Sequence, residues 1–334
     1  MTWLRPLAGF QVPAMGLGCM GMSEFYGPSD DAQSLRTLRA AYDRGLRHFD
    51  TADTYGSGHN ETLLGRFLAE LAPGERAGLC VATKFGIRRT PGTYERNIDN
   101  SADYVKSACE ASLRRLGLDC LPLFYVHRRD PAVPIEALME SLVALKTAGK
   151  IAAVGLSEVS ADTLRRAHAV HPVAALQNEY SLWERGAEDE MLPLCQALGV
   201  AFVAYSPLGR ALLSAELPPT DQLDAKDFRR QLPRFSGEAG AHNRALVAEF
   251  SALAEGWQMK PAQAALAWVL SRQPHAHVIP GMRRETHLQA NWEGARRTLE
   301  AGQLAELDRL FAPQAVQGAR YTPQGYVGIE SPQR

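Results

Sequence analysis

Four side chains with acid–base chemistry follow or interrupt short apolar segments of the sequence. Asp50 and Tyr55 lie in FDTADTYGSG (49–58), Lys84 lies in VATKFG (81–86), and His127 ends LPLFYVH (121–127). A lysine among apolar residues is expected to be buried, and a buried ammonium needs a nearby carboxylate. We predict that Asp50 is this partner and that the ammonium lowers the pKa of Tyr55, which makes its phenol a proton donor. His127 could orient a carbonyl oxygen or share in the proton transfer.

Each of these residues also has an ordinary structural interpretation. A lone aspartate after an apolar segment is most often a turn or cap residue, and a lone tyrosine near glycines usually packs a loop. A lone lysine or histidine in a strand can be an edge residue or a hydrogen-bonded core residue. What favours a catalytic site is their joint appearance at the ends of consecutive predicted strands.

The elements that would position these residues form a regular alternation. Apolar segments typical of buried strands are separated by segments with the spacing of amphipathic helices. One such helix is predicted to begin with Asn60 as its N-cap. A strand followed by a helix, repeated eight times, predicts a closed (β/α)₈ TIM barrel of the α/β class, in one domain over residues 1–334. An open doubly wound sheet is the alternative. The eight predicted strands are 16–20, 46–52, 79–86, 121–127, 151–157, 174–180, 200–206 and 277–281.

Other segments are expected to decorate the barrel. LAGFQVPAM (7–15) is predicted to form an N-terminal hairpin that covers the barrel floor, and 303–311 an extra C-terminal helix. Two longer irregular segments, 86–100 and 207–240, follow predicted strands. Because loops after barrel strands surround the active site, we expect both to contribute to substrate and cofactor binding.

Composition excludes several classes of protein. The chain has 334 residues and a net charge of −1, which argues against binding nucleic acid or acidic membranes through bulk charge. No segment approaches the roughly 20 apolar residues of a membrane span. The five cysteines include no CxxC pair, so we expect reduced thiols, no metal site and a cytoplasmic location.

The segment GLGCMG (16–21) matches the dinucleotide-binding pattern G-x-G-x-x-G. That pattern is meaningful only where a helix opens within it. Here MSEFYGPSDD contains Pro28, and helical spacing starts only after Asp30. We therefore interpret GLGCMG as a glycine-rich strand end at a barrel mouth, where Gly18 would let a ligand approach the backbone.

Seven segments resemble the aldo-keto reductase family, in the family's order and over nearly the whole chain. The late YSLW and GARYTP segments look closest to its pyridoxal reductase-like and perakine reductase-like branch. The resemblance implies a barrel that binds NADPH without a Rossmann fold, and a catalytic tetrad of Asp50, Tyr55, Lys84 and His127. The segments are FDTADTYGSGHNETLLG (49–65), TKFG (83–86), LFYVHRRDPAVPIE (123–136), GKIAAVGLSE (149–158), LQNEYSLW (176–183), AYSPLGR (204–210) and VIPGMRRETHLQAN (278–291).

The same resemblance implies the cofactor contacts. Ser157 and Gln177 match residues that bind the nicotinamide carboxamide, and Tyr205 matches the residue that stacks on the nicotinamide ring. Guanidinium groups and a helix N-terminus suit the adenosine phosphate. The full predicted set is Gly18, Cys19, Met20, Asp50, Ser157, Gln177, Tyr205, Ser206, Leu208, Arg210, Gly281, Arg283, His287 and Asn291.

The expected function is reduction of a small-molecule aldehyde or ketone, with Tyr55 as general acid. The alternatives are a redox-sensing, channel-associated subunit that turns over slowly, and an unrelated barrel enzyme such as a phosphate-sugar isomerase. Tyr26, Phe85, Trp183 and Tyr321 are candidate aromatic walls of the substrate pocket. Asp53 and Arg129 are given no role, although Asp53 is expected to form loop hydrogen bonds. The sequence leaves the substrate and the oligomeric state open.

Overall fold

The computed structural model describes residues 3–90 and 96–331. Its strands, in chain order, are β1 Leu4–Leu7, β2 Phe10–Pro13, β3 Leu17–Gly18, β4 His48–Asp50, β5 Cys80–Phe85, β6 Ile87–Arg88, β7 Asn97–Ile98, β8 Leu123–Val126, β9 Val154–Ser157, β10 Ala175–Glu179, β11 Ala201–Tyr205 and β12 Ala276–Ile279. Its α-helices are α1 Asp31–Asp43, α2 His59–Ala69, α3 Pro73–Ala77, α4 Ala102–Leu116, α5 Ile135–Thr147, α6 Ala161–Val170, α7 Met191–Leu198, α8 Gly237–Gly256, α9 Pro261–Arg272, α10 Glu285–Ala295 and α11 Ala301–Leu310.

Eight parallel strands form the central sheet, in the order β3, β4, β5, β8, β9, β10, β11, β12. The sheet closes on itself, because Met15 bridges Val278 and Gly18 bridges Gly281. The Gly16 amide donates to the Val278 carbonyl at 2.9 Å across this seam. The predicted (β/α)₈ barrel is therefore confirmed, and the open doubly wound sheet is wrong. All eight predicted strand segments contain a barrel strand.

The barrel floor is covered by the antiparallel hairpin of β1 and β2, as predicted. Leu7 and Val12 pack against interior barrel side chains such as Leu123 and Val203. The Arg5 guanidinium donates to the Ala276 carbonyl, and the His277 ring lies 3.1 Å from the Pro6 carbonyl. This packing leaves the opposite end, where the strands finish, as the place for a site.

The first turns of the helices show which side chains act as N-caps. Asp30 caps α1 by accepting from the Gln33 amide at 2.8 Å, and Ser160 caps α6 by accepting from Thr163. The predicted N-cap Asn60 is wrong. It lies inside α2, and its amide group instead bonds the Thr51 hydroxyl at 2.6 Å and the Cys19 carbonyl at 2.8 Å. The extra C-terminal helix is present as α11.

Two loops meet across the mouth of the barrel. The Phe228 amide donates to the Phe25 carbonyl at 2.9 Å, and the two rings lie 5.6 Å apart. The Arg229 guanidinium lies 4.6 Å from the centre of the Tyr26 ring. We call residues 25–27 and 224–229 the loop bridge. Separately, no helix within the two described ranges is both long enough and apolar enough to cross a membrane.

Candidate active site

The centre of the site is a buried ion pair at the ends of β4 and β5. The Lys84 ammonium donates to Asp50 and also to the Thr51 carbonyl at 2.8 Å. The second Asp50 oxygen accepts from the Gln177 side-chain amide at 2.8 Å. The Lys84 and Asp50 side chains are 0% and 3% exposed. The predicted pairing of Lys84 with Asp50 is thus confirmed.

Tyr55 and His127 lie next to this pair. Tyr55 begins the 3₁₀ turn Tyr55–Gly58, in which Gly56, Ser57 and Gly58 all have positive φ, so the chain doubles back sharply after the tyrosine. The Lys84 ammonium is 5.4 Å from the centre of the Tyr55 ring. The Tyr55 and His127 rings are 5.8 Å apart and meet edge to face. The structure therefore brings all four predicted residues together.

The expected direction of the Tyr55 pKa shift is wrong. Burial raises the pKa of Tyr55 well above its usual value, and the Asp50 charge raises it further. The carboxylate that neutralises Lys84 thereby cancels much of the effect expected of the ammonium. Burial, with the charges of Arg128 and Lys84, holds the pKa of His127 well below its usual value. At neutral pH the site therefore presents a protonated phenol and an uncharged imidazole.

A cavity of about 710 Å³ opens above these groups. Asp50, Tyr55 and His127 line it, whereas Lys84 lies beneath them. Cys19, a predicted cofactor contact, does not line it, because its side chain is 1% exposed and packs in the core. Phe85 and Trp183 are likewise core residues, so as pocket walls they are wrong. The other predicted cofactor residues that line the cavity are Gly18, Met20, Ser157, Gln177, Tyr205, Ser206, Leu208, Arg210, Gly281, Arg283, His287 and Asn291.

Two of these lining residues have structural roles that the sequence did not reveal. A Cβ on Gly18 would lie 2.8 Å from the Ile279 carbonyl, so this glycine is needed for barrel closure whether or not a ligand approaches it. Arg210 is held by Glu179 in a buried ion pair at 2.9 Å, and its guanidinium lies 4.6 Å from the centre of the Tyr321 ring. The Arg210 charge is thus already matched by a carboxylate.

The opposite end of the cavity is rich in cationic groups. Arg283, Arg284 and His287 line it at the start of α10. The Arg283 guanidinium donates to the Pro28 carbonyl at 2.9 Å, which fixes its position near the loop bridge. Among the described residues Arg283 forms no ion pair, so this end can bind an anion.

A C-terminal strap, residues 320–331, lies over one side of the mouth, and its Tyr321, a predicted pocket wall, lines the cavity. Glu158 holds it, accepting from Arg320 at 2.8 Å and from the Ser331 hydroxyl. Burial alone would raise the pKa of Glu158, but the charges of Arg320 and Arg128 lower it to about 2. Tyr205 donates to the same carboxylate at 2.8 Å.

The strap also explains Arg129, which had no predicted role. Its guanidinium forms an ion pair with Glu330 at 2.5 Å and donates to the Val133 carbonyl at 2.7 Å. Asp53 behaves as expected of a loop residue: its amide donates to the Lys84 carbonyl at 3.1 Å, and its carboxylate accepts from Tyr104 at 3.4 Å. Burial and the Glu61 charge raise the pKa of Asp53.

The fold and the site define a barrel enzyme with a buried acid–base centre beneath a long cavity. The sequence profile of the Aldo/keto reductase family matches residues 14–312. The aldo-keto reductase yakc of Schizosaccharomyces pombe, whose name includes NADP(+), is 38% identical over 322 residues, which are 96% of this chain and 94% of that protein. The chain therefore belongs to the aldo/keto reductase family, a family of oxidoreductases, and the predicted family is confirmed.

Solved structures agree with this assignment. The glycerol dehydrogenase AKR11B4 from Gluconobacter oxydans matches with a TM-score of 0.84 and 26% identity, over 96% of this chain and 98% of that one. An aldo/keto reductase from Klebsiella pneumoniae, solved with NADP and acetate, matches with a TM-score of 0.72 and 26% identity, over 96% and 99% of the two chains. The same relatives support an NADP coenzyme, as predicted.

Proposed function

We propose that the protein reduces an aldehyde or ketone to an alcohol with NADPH, and that Tyr55 is the general acid. The observation that carries the proposal is the cluster of Tyr55, His127 and the Lys84–Asp50 pair beneath one end of the cavity. The family membership and the NADP of the relatives support the same chemistry.

The cavity residues fit the proposed cofactor. Arg283 and Arg284 supply positive charge at one end, which suits the adenosine phosphate of NADPH, and His287 lies beside them as a neutral ring because burial and the Arg284 charge lower its pKa. Ser157 and Gln177 present polar side chains at the other end, near the tetrad, where a carboxamide could be bound. When bound, NADPH supplies the hydride, and the chain's own residues orient both reactants and supply the proton.

The proton can come from the Tyr55 hydroxyl. Its raised pKa keeps it protonated throughout the physiological range. Negative charge that develops on the carbonyl oxygen during hydride addition draws this proton, and the alcohol results. The neutral His127 ring can donate one N–H···O hydrogen bond to the same oxygen and so orient the carbonyl. Lys84 lies 5.4 Å from the centre of the Tyr55 ring, and its pairing with Asp50 limits how far it can stabilise the phenolate left behind.

The test is the Tyr55→Phe variant. Removing the acid should lower kcat by on the order of 10²–10⁴-fold, while the Kd for NADPH, measured by fluorescence titration, stays the same. Tyr42→Phe is the matched control, because the Tyr42 hydroxyl bonds Glu75 at 3.1 Å and does not line the cavity. A Tyr55→Phe variant as active as the wild type would show that the acid is another group.

We further propose the finer assignments that the family leaves open. These are a single domain over residues 1–334, a cytoplasmic location and the pyridoxal reductase-like branch. Tyr26 and Tyr321 line the cavity, which supports an aromatic pocket wall for a planar or apolar carbonyl compound. A kinetic screen over pyridoxal, aromatic aldehydes, methylglyoxal and simple ketones would test the branch. No contact or comparison favours the channel-associated or isomerase alternatives.

A further inference from the structure

Two arginines at the tetrad end of the cavity form no ion pair within the part of the chain that the structure describes. Arg128 follows His127 directly, is 5% exposed and lines the cavity. Its guanidinium donates to the His127 carbonyl at 2.9 Å and lies 3.5 Å from the Ser157 hydroxyl, while its Nε has no hydrogen-bond partner among the described residues. Arg96 lines the same wall and donates to the Gly325 carbonyl at 3.2 Å.

The other charged groups near this wall are paired. Arg89 forms an ion pair with Glu24 at 2.8 Å, and Glu158 is bound by Arg320. Asp50 is bound by Lys84. Within residues 3–90 and 96–331, neither Arg96 nor Arg128 enters an ion pair, although the Glu158 charge acts on Arg128 from beyond ion-pair distance. Two guanidinium groups without a direct carboxylate contact keep N–H donors available to bind an anion.

The anion is best assigned to the substrate rather than to the cofactor. The phosphates of the proposed cofactor have their own cationic end at Arg283 and Arg284. Arg96 and Arg128 instead lie beside His127, whose pKa both of their charges lower after the larger effect of burial. A group bound there would belong to the molecule whose carbonyl faces Tyr55 and His127.

We propose, building on the reductase function above, that the substrate is an aldehyde or ketone that carries an anionic group, bound by Arg96 and Arg128. Planar guanidinium groups suit a carboxylate or phosphate, which they can bind through two parallel hydrogen bonds. The chemical class is therefore an oxo acid or a phosphorylated carbonyl compound. Arg128 and Arg96 set specificity and take no part in the transfer of hydride or proton.

Matched substrate pairs test this proposal. Wild-type protein should reduce 4-carboxybenzaldehyde with a kcat/KM at least tenfold above that for its methyl ester, which has the same ring and carbonyl but no charge. Glyceraldehyde 3-phosphate and glyceraldehyde form a second pair, and a larger ratio there would assign phosphate as the anion. Arg96→Met and Arg128→Met should each raise KM for the charged substrate, so that the ratio of kcat/KM values falls toward one. Arg88→Met, which alters an exposed pair with Asp99 in the same loop, should keep it.

Activity and direct binding together distinguish the proposed anion site from the proposed reductase function. If the uncharged aldehydes are reduced as well as the charged ones, the anion site is wrong and the reductase stands. If no carbonyl compound is reduced, the proposed function fails, and calorimetry with benzoate and benzamide then decides the site alone. Tighter binding of benzoate by tenfold or more, lost in Arg96→Met, supports it, and equal binding overturns it. Arg96 is only partly buried, so this variant remains informative if Arg128→Met does not fold.

Discussion

Replacement of Lys84 by methionine should destabilise the protein in a pH-dependent way. Methionine keeps the length of the side chain but removes the ammonium, which leaves Asp50 buried with one neutral partner, the Gln177 amide. Breaking a buried ion pair by removing one member costs about 3–5 kcal/mol. For a chain of this size, about 2 °C per kcal/mol gives a fall in Tm of roughly 6–10 °C.

The pH dependence follows from the Asp50 carboxyl. In the wild type burial already raises the pKa of Asp50, while Lys84 opposes that shift. Without Lys84 the pKa rises further. A carboxyl with a folded-state pKa above its unfolded value contributes stability that is present at low pH and lost as the pH rises through the folded-state pKa. The Tm difference between wild type and Lys84→Met should therefore be larger at pH 8 than at pH 5.

Circular dichroism melts at both pH values would measure this, with two further variants. Adding Asp50→Asn to Lys84→Met removes the unpaired charge and should recover about half or more of the lost Tm at pH 8. Lys106→Met on α4, an exposed residue, should change stability by less than about 0.5 kcal/mol. An equal loss at both pH values, or a double variant no more stable than Lys84→Met, would refute the reasoning.

Two further predictions concern the cationic end of the cavity and the strap. Arg283→Leu should raise KM for NADPH about 10–100-fold, the value of one charge-assisted hydrogen bond, and leave KM for NADH unchanged; an equal effect on both coenzymes would remove Arg283 from the phosphate site. Arg129→Met should release the strap from its pair with Glu330, so that hydrogen–deuterium exchange rises in residues 326–331 but not in β8. Arg39→Met, which loses an exposed pair with Asp43, is the control, and unchanged exchange in the strap would contradict the role assigned to Arg129.

The barrel and the tetrad were predictable because both depend on local pattern. Alternating apolar and amphipathic segments gave the eight strands, and parallel strands finish at one end of a barrel, which placed Asp50, Lys84 and His127 together. The incorrect predictions concern residues whose position is decided by tertiary packing. Asn60 has the side chain of an N-cap, yet a turn of positive-φ residues lets α2 begin at His59, two residues earlier than predicted, and turns Asn60 inward.

The remaining features depend on pairs that are far apart in sequence. Arg129 meets Glu330 across 201 positions, and Glu158 meets Arg320 across 162. No periodicity connects such residues, so one sequence cannot reveal which ion pairs hold the strap in place. The prediction of a lowered Tyr55 pKa failed for a related reason. Its direction depends on how deeply the phenol is buried and how near the Asp50 charge lies, and neither quantity can be read from residue types.

The loop bridge bears on the residence time of anything bound beneath it. Residues from both of its halves line the cavity, and the contacts that join them include a backbone hydrogen bond, a ring contact and a guanidinium–ring contact. A long ligand in the proposed cofactor position can leave only after these few contacts part. Dissociation would then be set by how often the bridge opens, not by how strongly either end of the ligand is bound. Two relatives with equal affinity for the coenzyme could therefore exchange it at very different rates.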